Sequence, residues 1–235
     1  MLEFIKGALI IAAYIIPLAA IMLTLRKFIK IPDELFRKIL HFIFLGAYIP
    51  FLFAFQTWWK SALLALLLIL PLYPILKFAE RIPAFSSFVT ERKKGEFKNS
   101  MFLALGMMFV CICICWGILN DRFLALASVY AWGVGDAFAA LIGKRFGKHK
   151  IKLKFADCHK SVEGSSAMFV SSTIAALAVL LVRGGLGVFE CVFIAAIAAA
   201  VCTFVELCSK NGFDTVTCPA AAMIVILPLC RIFGG

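Results

Sequence analysis

The sequence predicts an all-α, polytopic transmembrane helix bundle of about eight spans, and three observations carry that prediction. Of 235 residues, 63% are hydrophobic and the mean hydropathy is +1.02. Runs of about 20 apolar residues, the length a helix needs to cross a bilayer, recur along the whole chain. The basic residues, finally, fall in alternate connections between those runs.

Taken in order, the expected spans cover 4–25, 39–55, 61–79, 100–119, 123–143, 165–182, 187–206 and 214–232. The connections after the first, third, fifth and seventh hold 19 of the 24 Lys and Arg residues. The positive-inside rule makes those four connections cytoplasmic and puts both termini on the non-cytoplasmic side. The expectation is a single integral-membrane domain over 1–235, in the cytoplasmic (inner) membrane or an endomembrane. The first span is long and lacks a basic n-region with a small-residue cleavage site, so no cleavable signal peptide is expected. The net charge of +11 lies mostly on one face, where it suits anionic lipid or a phosphorylated substrate. Loops this short and this close to lipid do not suit nucleic acid.

The first span carries Pro17, a possible kink site. Pro32 then precedes Asp33 and Glu34, the signature of a helix start. Arg37, Lys38 and His41 follow at helical spacing, where the second span enters the membrane; Lys38 is expected among lipid headgroups. Gly46 and Pro50 interrupt that span. The connection before the fourth span, RIPAFSSFVTERKKGEFKNS, reads as loop and solvated helix start, with Glu96 its most suspicious residue. Nine cysteines fall mostly inside spans and act as small apolar residues. Cys158-His159 is at most a minor ligand pair.

The fifth span and the loop after it hold the chain's densest chemistry. On a helical wheel Gly133, Asp136, Ala137, Ala140, Gly143 and Lys144 share an arc of about 120°, opposite Val134, Phe138, Leu141 and Ile142. A carboxylate such as Asp136 at membrane depth is costly, so it marks a functional site by default. Lys144 lies eight residues on, about 12 Å along the axis, at the water boundary. The loop GKRFGKHKIKLKFADCHKS is dense in lysine, and Ser161 or Ser165 can cap the sixth span. That helix start offers backbone N–H groups to an anion, and Gly164, Ala167 and Ser171 continue a small stripe down the span. Glu163, among cations, reads as a salt-bridge partner or a metal ligand. RGGLG is a tight turn on the far side, with Glu190 beside it and away from the site. Glu206 ends the seventh span and Asp214 begins the eighth, so Asp136, Glu163, Glu206 and Asp214 face one membrane boundary. Acids beside lysines and a helix N-terminus are the parts of a nucleotide–magnesium site.

These residues resemble the CTP-dependent polyprenol kinase family, which includes dolichol, phytol and farnesol kinases and a related diacylglycerol kinase. The resemblance rests on RKILH (37–41), RKKGEF ending at Phe97, GDAFAALIGKRFGKHKI (135–151) and KSVEGSSAMF (160–169). It also rests on Glu206 followed by FDTVTCP, in which Thr215 stands where the family more often has Asn. It implies transfer of the γ-phosphoryl group of CTP to the hydroxyl of a membrane lipid alcohol, with Mg2+. It implies a nucleotide site at Gly135, Asp136, Lys144, Lys160, Ser161, Glu163, Gly164 and Ser165. Asp136, Asp214, Glu206 and His41 are then candidate catalytic residues, with Arg37, Lys38 and Glu96 accessory. Asp136, Asp214 and Glu163 are the candidate metal ligands.

Two other readings stand beside this one. CTP:phosphatidate cytidylyltransferase-like synthesis of a CDP-lipid would use the same nucleotide and a similar acidic, lysine-rich site. The PGHGG-like run followed by Asp-Arg and another Asp, expected near its C-terminus, is missing. A small lipid or anion transporter would use the acids as proton relays. Its inverted repeats should give matching broken helices in the two halves, and the sequence has no such symmetry.

Overall fold

Apolar runs punctuated by helix-starting and helix-ending residues fold here into a series of long helices. The computed structural model describes residues 2–79, 96–151, 160–209 and 212–234. Its helices are α1 (Leu2–Phe28), α2 (Asp33–Phe53), α3 (Trp58–Ala79), α4 (Glu96–Cys111), α5 (Arg122–Phe146), α6 (Val162–Arg183), α7 (Val188–Cys208) and α8 (Asp214–Ile232). A π-helical turn, Ile112–Ile118, extends α4. Among the described residues eight helical segments are long and apolar enough to cross a membrane, and the protein is a multi-pass integral membrane protein. The fold is all-α, as the sequence predicts.

Contacts divide the chain into two compact units, Met1–Asn120 and Asp121–Gly235. In the first, α2 starts at Asp33, the helix start the sequence predicts, so the span expected from 39 is the continuation of that helix; Pro32 has the extended ψ of 137° that precedes a first turn, and Asp33 and Glu34 suit that turn's dipole. Arg37, Lys38 and His41 therefore belong to one continuous helix. Gly46 and Pro50 do not break it: the Tyr14 hydroxyl fills the space a Cβ at Gly46 would need. Its core is aromatic and bulky, with Phe36, Tyr48, Phe51, Phe55, Met108 and Ile112 fully buried. In the π-helical turn the Leu119 N–H donates to the Ile114 carbonyl at 3.2 Å, and Trp58 lies flat against Gly117.

The second unit is built differently. Its core is rich in alanine, with Ala125, Ala131, Ala137, Ala176, Ala195, Ala198, Ala199 and Ala222 at 0% exposure beside the larger Trp132, Met168, Leu180, Ile194 and Ile226. Small residues let helix backbones approach closely where lipid gives no hydrophobic drive for association. Helix α5 packs against α6, α7 and α8, and has eleven buried residues. Asn120, left-handed at φ 56°, ends the preceding helix, and Asp121 caps α5 by accepting from the Phe123 and Leu124 N–H groups at 2.9 and 3.3 Å.

Candidate functional site

The α5–α6 hairpin is the scaffold, and its packing face differs from the one the wheel suggests. Gly135 lies against Ser172 and Met168, and a Cβ on Gly164 would be 3.0 Å from the Ala139 carbonyl and 3.2 Å from the Gly143 Cα. The Ser172 hydroxyl donates to the Ala131 carbonyl at 2.5 Å. The two helices therefore meet along Ala131, Gly135, Ala139 and Gly143 on one side and Gly164, Met168 and Ser172 on the other. On α6 this replaces the expected stripe of Gly164, Ala167 and Ser171. A four-residue spacing, not an arc centred on Asp136, sets the closest approach. Of the expected bulky face, Phe138 is exposed, while Val134, Leu141 and Ile142 are half-buried. Gly135 and Gly164 thus have a packing role whatever else they do.

Beyond α5 the chain narrows to a neck. Gly147 closes the helix by donating to the Gly143 carbonyl at 3.1 Å. Lys150 and Ser161 form an antiparallel bridge, with Ile151 N–H donating to Lys160 and Val162 N–H to His149, both at 3.0 Å. Ser161, rather than Ser165, caps α6: its buried hydroxyl accepts from Gly164 N–H at 3.2 Å. Ser165 N–H donates to the Ser161 carbonyl at 3.0 Å. The amides of Val162, Gly164 and Ser165 are therefore satisfied within the chain, so the expectation that they stand open to an anion is corrected by the cap and bridge. The loop residues Lys152, Lys154, Cys158 and His159 lie outside the described residues.

Glu163 is taken up by the neck. His149 Nδ1 lies 2.7 Å from its carboxylate, and the His149 N–H donates to both carboxylate oxygens at 3.2 and 3.3 Å. Lys160 turns towards α7. Its Nζ lies 2.8 Å from the Glu206 carboxylate, donates to the Glu206 carbonyl, and reaches the Ser209 carbonyl at 3.5 Å. A cation on the last carbonyls of a helix complements its dipole. Lys144 is exposed near the end of α5.

Asp136 of α5, Glu206 of α7 and Asp214 of α8 are all within electrostatic reach of one buried thiol, that of Cys218. Cys218 and Cys202 exchange thiol-to-carbonyl hydrogen bonds at 3.4 and 3.7 Å, pinning α7 to α8. Thr215 is buried beside Asp214. Among the described residues no group of three His, Cys, Asp or Glu could hold a metal ion, so Asp136, Asp214 and Glu163 form no such cage. Magnesium is usually held through one or two carboxylates together with substrate phosphates, and Asp136 and Asp214 are donors of that kind.

The remaining candidates belong to the first unit. Arg37 pairs with Glu34 at 2.6 Å, and His41 makes an edge contact with the Phe42 ring. Lys38, expected among headgroups, is 6% exposed, on the same side of α2 as the buried Leu45 and Leu52. Glu96 is the first residue of α4, and the preceding RKKG falls outside the described residues.

The sequence reading passes over His149, Ser209 and Thr217. A histidine inside a lysine run gives no signal by itself; its partner lies 14 residues away. Ser209 does carry one, since a serine just after a helix that ends in an acid can couple that end to the next helix.

No curated protein and no solved structure gives a match to this chain. The model of the cytidylyltransferase family matches residues 2–209, consistent with the resemblance to polyprenol kinases. This multi-pass membrane protein therefore belongs to the cytidylyltransferase family and is a CTP-using, lipid-related enzyme.

Proposed function

We propose that the protein transfers the γ-phosphoryl group of CTP to the hydroxyl of a membrane-embedded isoprenoid alcohol of polyprenol, phytol or dolichol type, or a related lipid. The observation that carries the reading is the combination GDA…GK…KS-x-EGS, spread over the hairpin of α5 and α6. The Lys160–Glu206 pair, which ties the neck to the end of α7, supports it, as do Asp136 and Asp214, whose charges with that of Glu206 reach the Cys218 thiol.

In this reaction the lipid oxygen bonds to the γ-phosphorus, the bond from that phosphorus to the β-phosphate oxygen breaks, and CDP departs. The hydroxyl proton passes to a carboxylate, Asp136 or Asp214. Such transfers need little covalent help; positioning and charge neutralisation supply most of the rate. Lys144 and the neck lysines attract the triphosphate, while His149 and Glu163 keep the neck closed. Magnesium entering with the nucleotide would be held by Asp136 and Asp214, and it would neutralise phosphate charge there. The active site faces the cytoplasm, the side to which the positive-inside rule assigns the neck.

A second reading, cytidylyl transfer to a lipid phosphate, is favoured by the description of the matching family. Purified protein incubated with CTP or ATP, magnesium and a panel of lipid alcohols and phosphatidate tests both. The proposal expects CDP and a lipid monophosphate, with CTP preferred. Pyrophosphate with a CDP-lipid would overturn it in favour of the second reading. A transporter would show neither product and no thermal stabilisation by CTP.

A further inference from the structure

The ends of α7 and α8 are joined by a strap of polar groups that begins at the neck. Lys160 grips the Glu206 carboxylate at 2.8 Å and donates to the Glu206 carbonyl, with a longer contact of 3.5 Å to the Ser209 carbonyl. Ser209 is the residue at which α7 stops: its N–H donates to the Val205 and Glu206 carbonyls at 2.9 and 3.2 Å. Its hydroxyl lies 2.8 Å from the Val205 carbonyl and 2.8 Å from the Thr217 hydroxyl. Thr217, in the first turn of α8, lies in turn 3.0 Å from the Phe213 carbonyl.

Proton counting shows that the link between helices is made. Three oxygen–oxygen contacts share two hydroxyl protons. If both protons went to the local carbonyls, Ser209 and Thr217 would face each other lone pair to lone pair at 2.8 Å. The two remaining arrangements each put a hydrogen bond between α7 and α8. Glu206 sits three residues before Ser209, and Asp214 three residues before Thr217. The strap therefore bears on the two helix turns that carry those acids.

We infer that Ser209 is a positioning residue of the site, coupling the Lys160–Glu206 pair to the helix turn that begins with Asp214. The inference rests on the phosphoryl-transfer reading and deepens it. Ser209 touches neither nucleotide nor acceptor; it acts through Glu206 and Asp214. Losing the link lets those carboxylates move relative to each other, and displacements of ångström size cost up to about a hundredfold in rate.

The test compares wild-type protein with Ser209→Ala, Thr217→Val, the double variant and Ser209→Thr, measuring kcat, KM for CTP and the thermal midpoint of each. Each single variant should lose about tenfold in kcat with KM for CTP within about twofold, as expected for a misplaced reacting group. The double variant should be no worse than either single one, because both break one link. Ser209→Thr keeps the hydroxyl and should restore turnover. An active wild type whose Ser209→Ala variant keeps full kcat overturns the inference alone. Independent, multiplying losses also overturn it, as does a Thr variant as slow as the Ala one. If Ser209→Ala does not fold, Thr217→Val reports on the same link. Wild-type protein that turns over no CTP at all overturns the parent reading, and the inference with it.

Discussion

Helix α8 passes two cysteines through two unlike electrostatic settings. Near its C-terminus, Cys230 lies within reach of Asp121 and Arg183, opposite charges that pair with each other at 2.6 Å. Near its N-terminus, Cys218 lies within reach of three acids from three helices. At the first end every device finishes a helix. Asp121 caps α5, Arg183 closes α6 onto it, Gly184 and Gly185 turn at φ 74° and 80°, and the Glu190 carboxylate accepts from Gly187 N–H. Four residues, 184–187, then suffice to connect α6 and α7. At the second end the chain spends fifteen residues, 147–161, between α5 and α6, and keeps Asp136 about 15 Å inside α5 from its last residue, Phe146. Ending helices does not need that. A carboxylate at membrane depth is costly, and this second end is where the proposed site falls.

The sharpest way to break this contrast is Asp136→Asn. It should lower kcat by about 10²–10³-fold, the loss typical of removing one preorganised charged group, while the thermal midpoint stays close to wild type. Retained turnover in that variant would remove the functional end from the account. Lys160→Met comes next. It leaves Glu206 and the last carbonyls of α7 without their cation, so stability should fall by about 1–3 kcal/mol in a denaturant or thermal titration. Turnover should drop about tenfold or more as the acids lose their placement. If Glu206→Gln leaves the Lys160→Met loss fully additive, the two side chains act separately.

Gly164→Ala probes the scaffold in place of the chemistry. The new Cβ would meet backbone on α5 at 3.0 and 3.2 Å, so the helices must part by a few tenths of an ångström. A cost of about 1–3 kcal/mol is expected, with a smaller loss of activity than Asp136→Asn. Asp121→Ala should have the smallest catalytic effect. It removes a cap and an ion pair, costs about 1–2 kcal/mol, and should leave kcat and KM for CTP unchanged. A matching loss of turnover there would erase the difference between the two ends.

Much of this architecture is written in the order of residues along the chain. Hydropathy places all eight spans, and Pro32, Ser161 and Asp214 announce three helix starts because capping and first-turn chemistry are local. The packing register of α5 is not local. A helical wheel shows which residues share a side, but not which side a neighbour takes, so the ladder at Ala131, Gly135, Ala139 and Gly143 emerges only with α6 in place. The same limit applies to the charges. Lys160 pairs with Glu206 across 46 positions, turning a residue that reads as a phosphate contact into the cap of another helix. Glu163 reads as partner or ligand, and His149 shows it as partner. The π-helical turn at Ile112–Ile118 has no local signature in ICICWGI beyond the glycine that meets Trp58.

The most direct measurement of the central claim follows each phosphorus of CTP. Protein in detergent or vesicles, with magnesium and a long-chain isoprenoid alcohol, is given CTP labelled at the γ position and, separately, at the α position. γ-Label is expected in the extracted lipid and α-label in soluble CDP, with neither transfer in Asp136→Asn. Lipid that carries α-label, with γ-label in pyrophosphate, would contradict it.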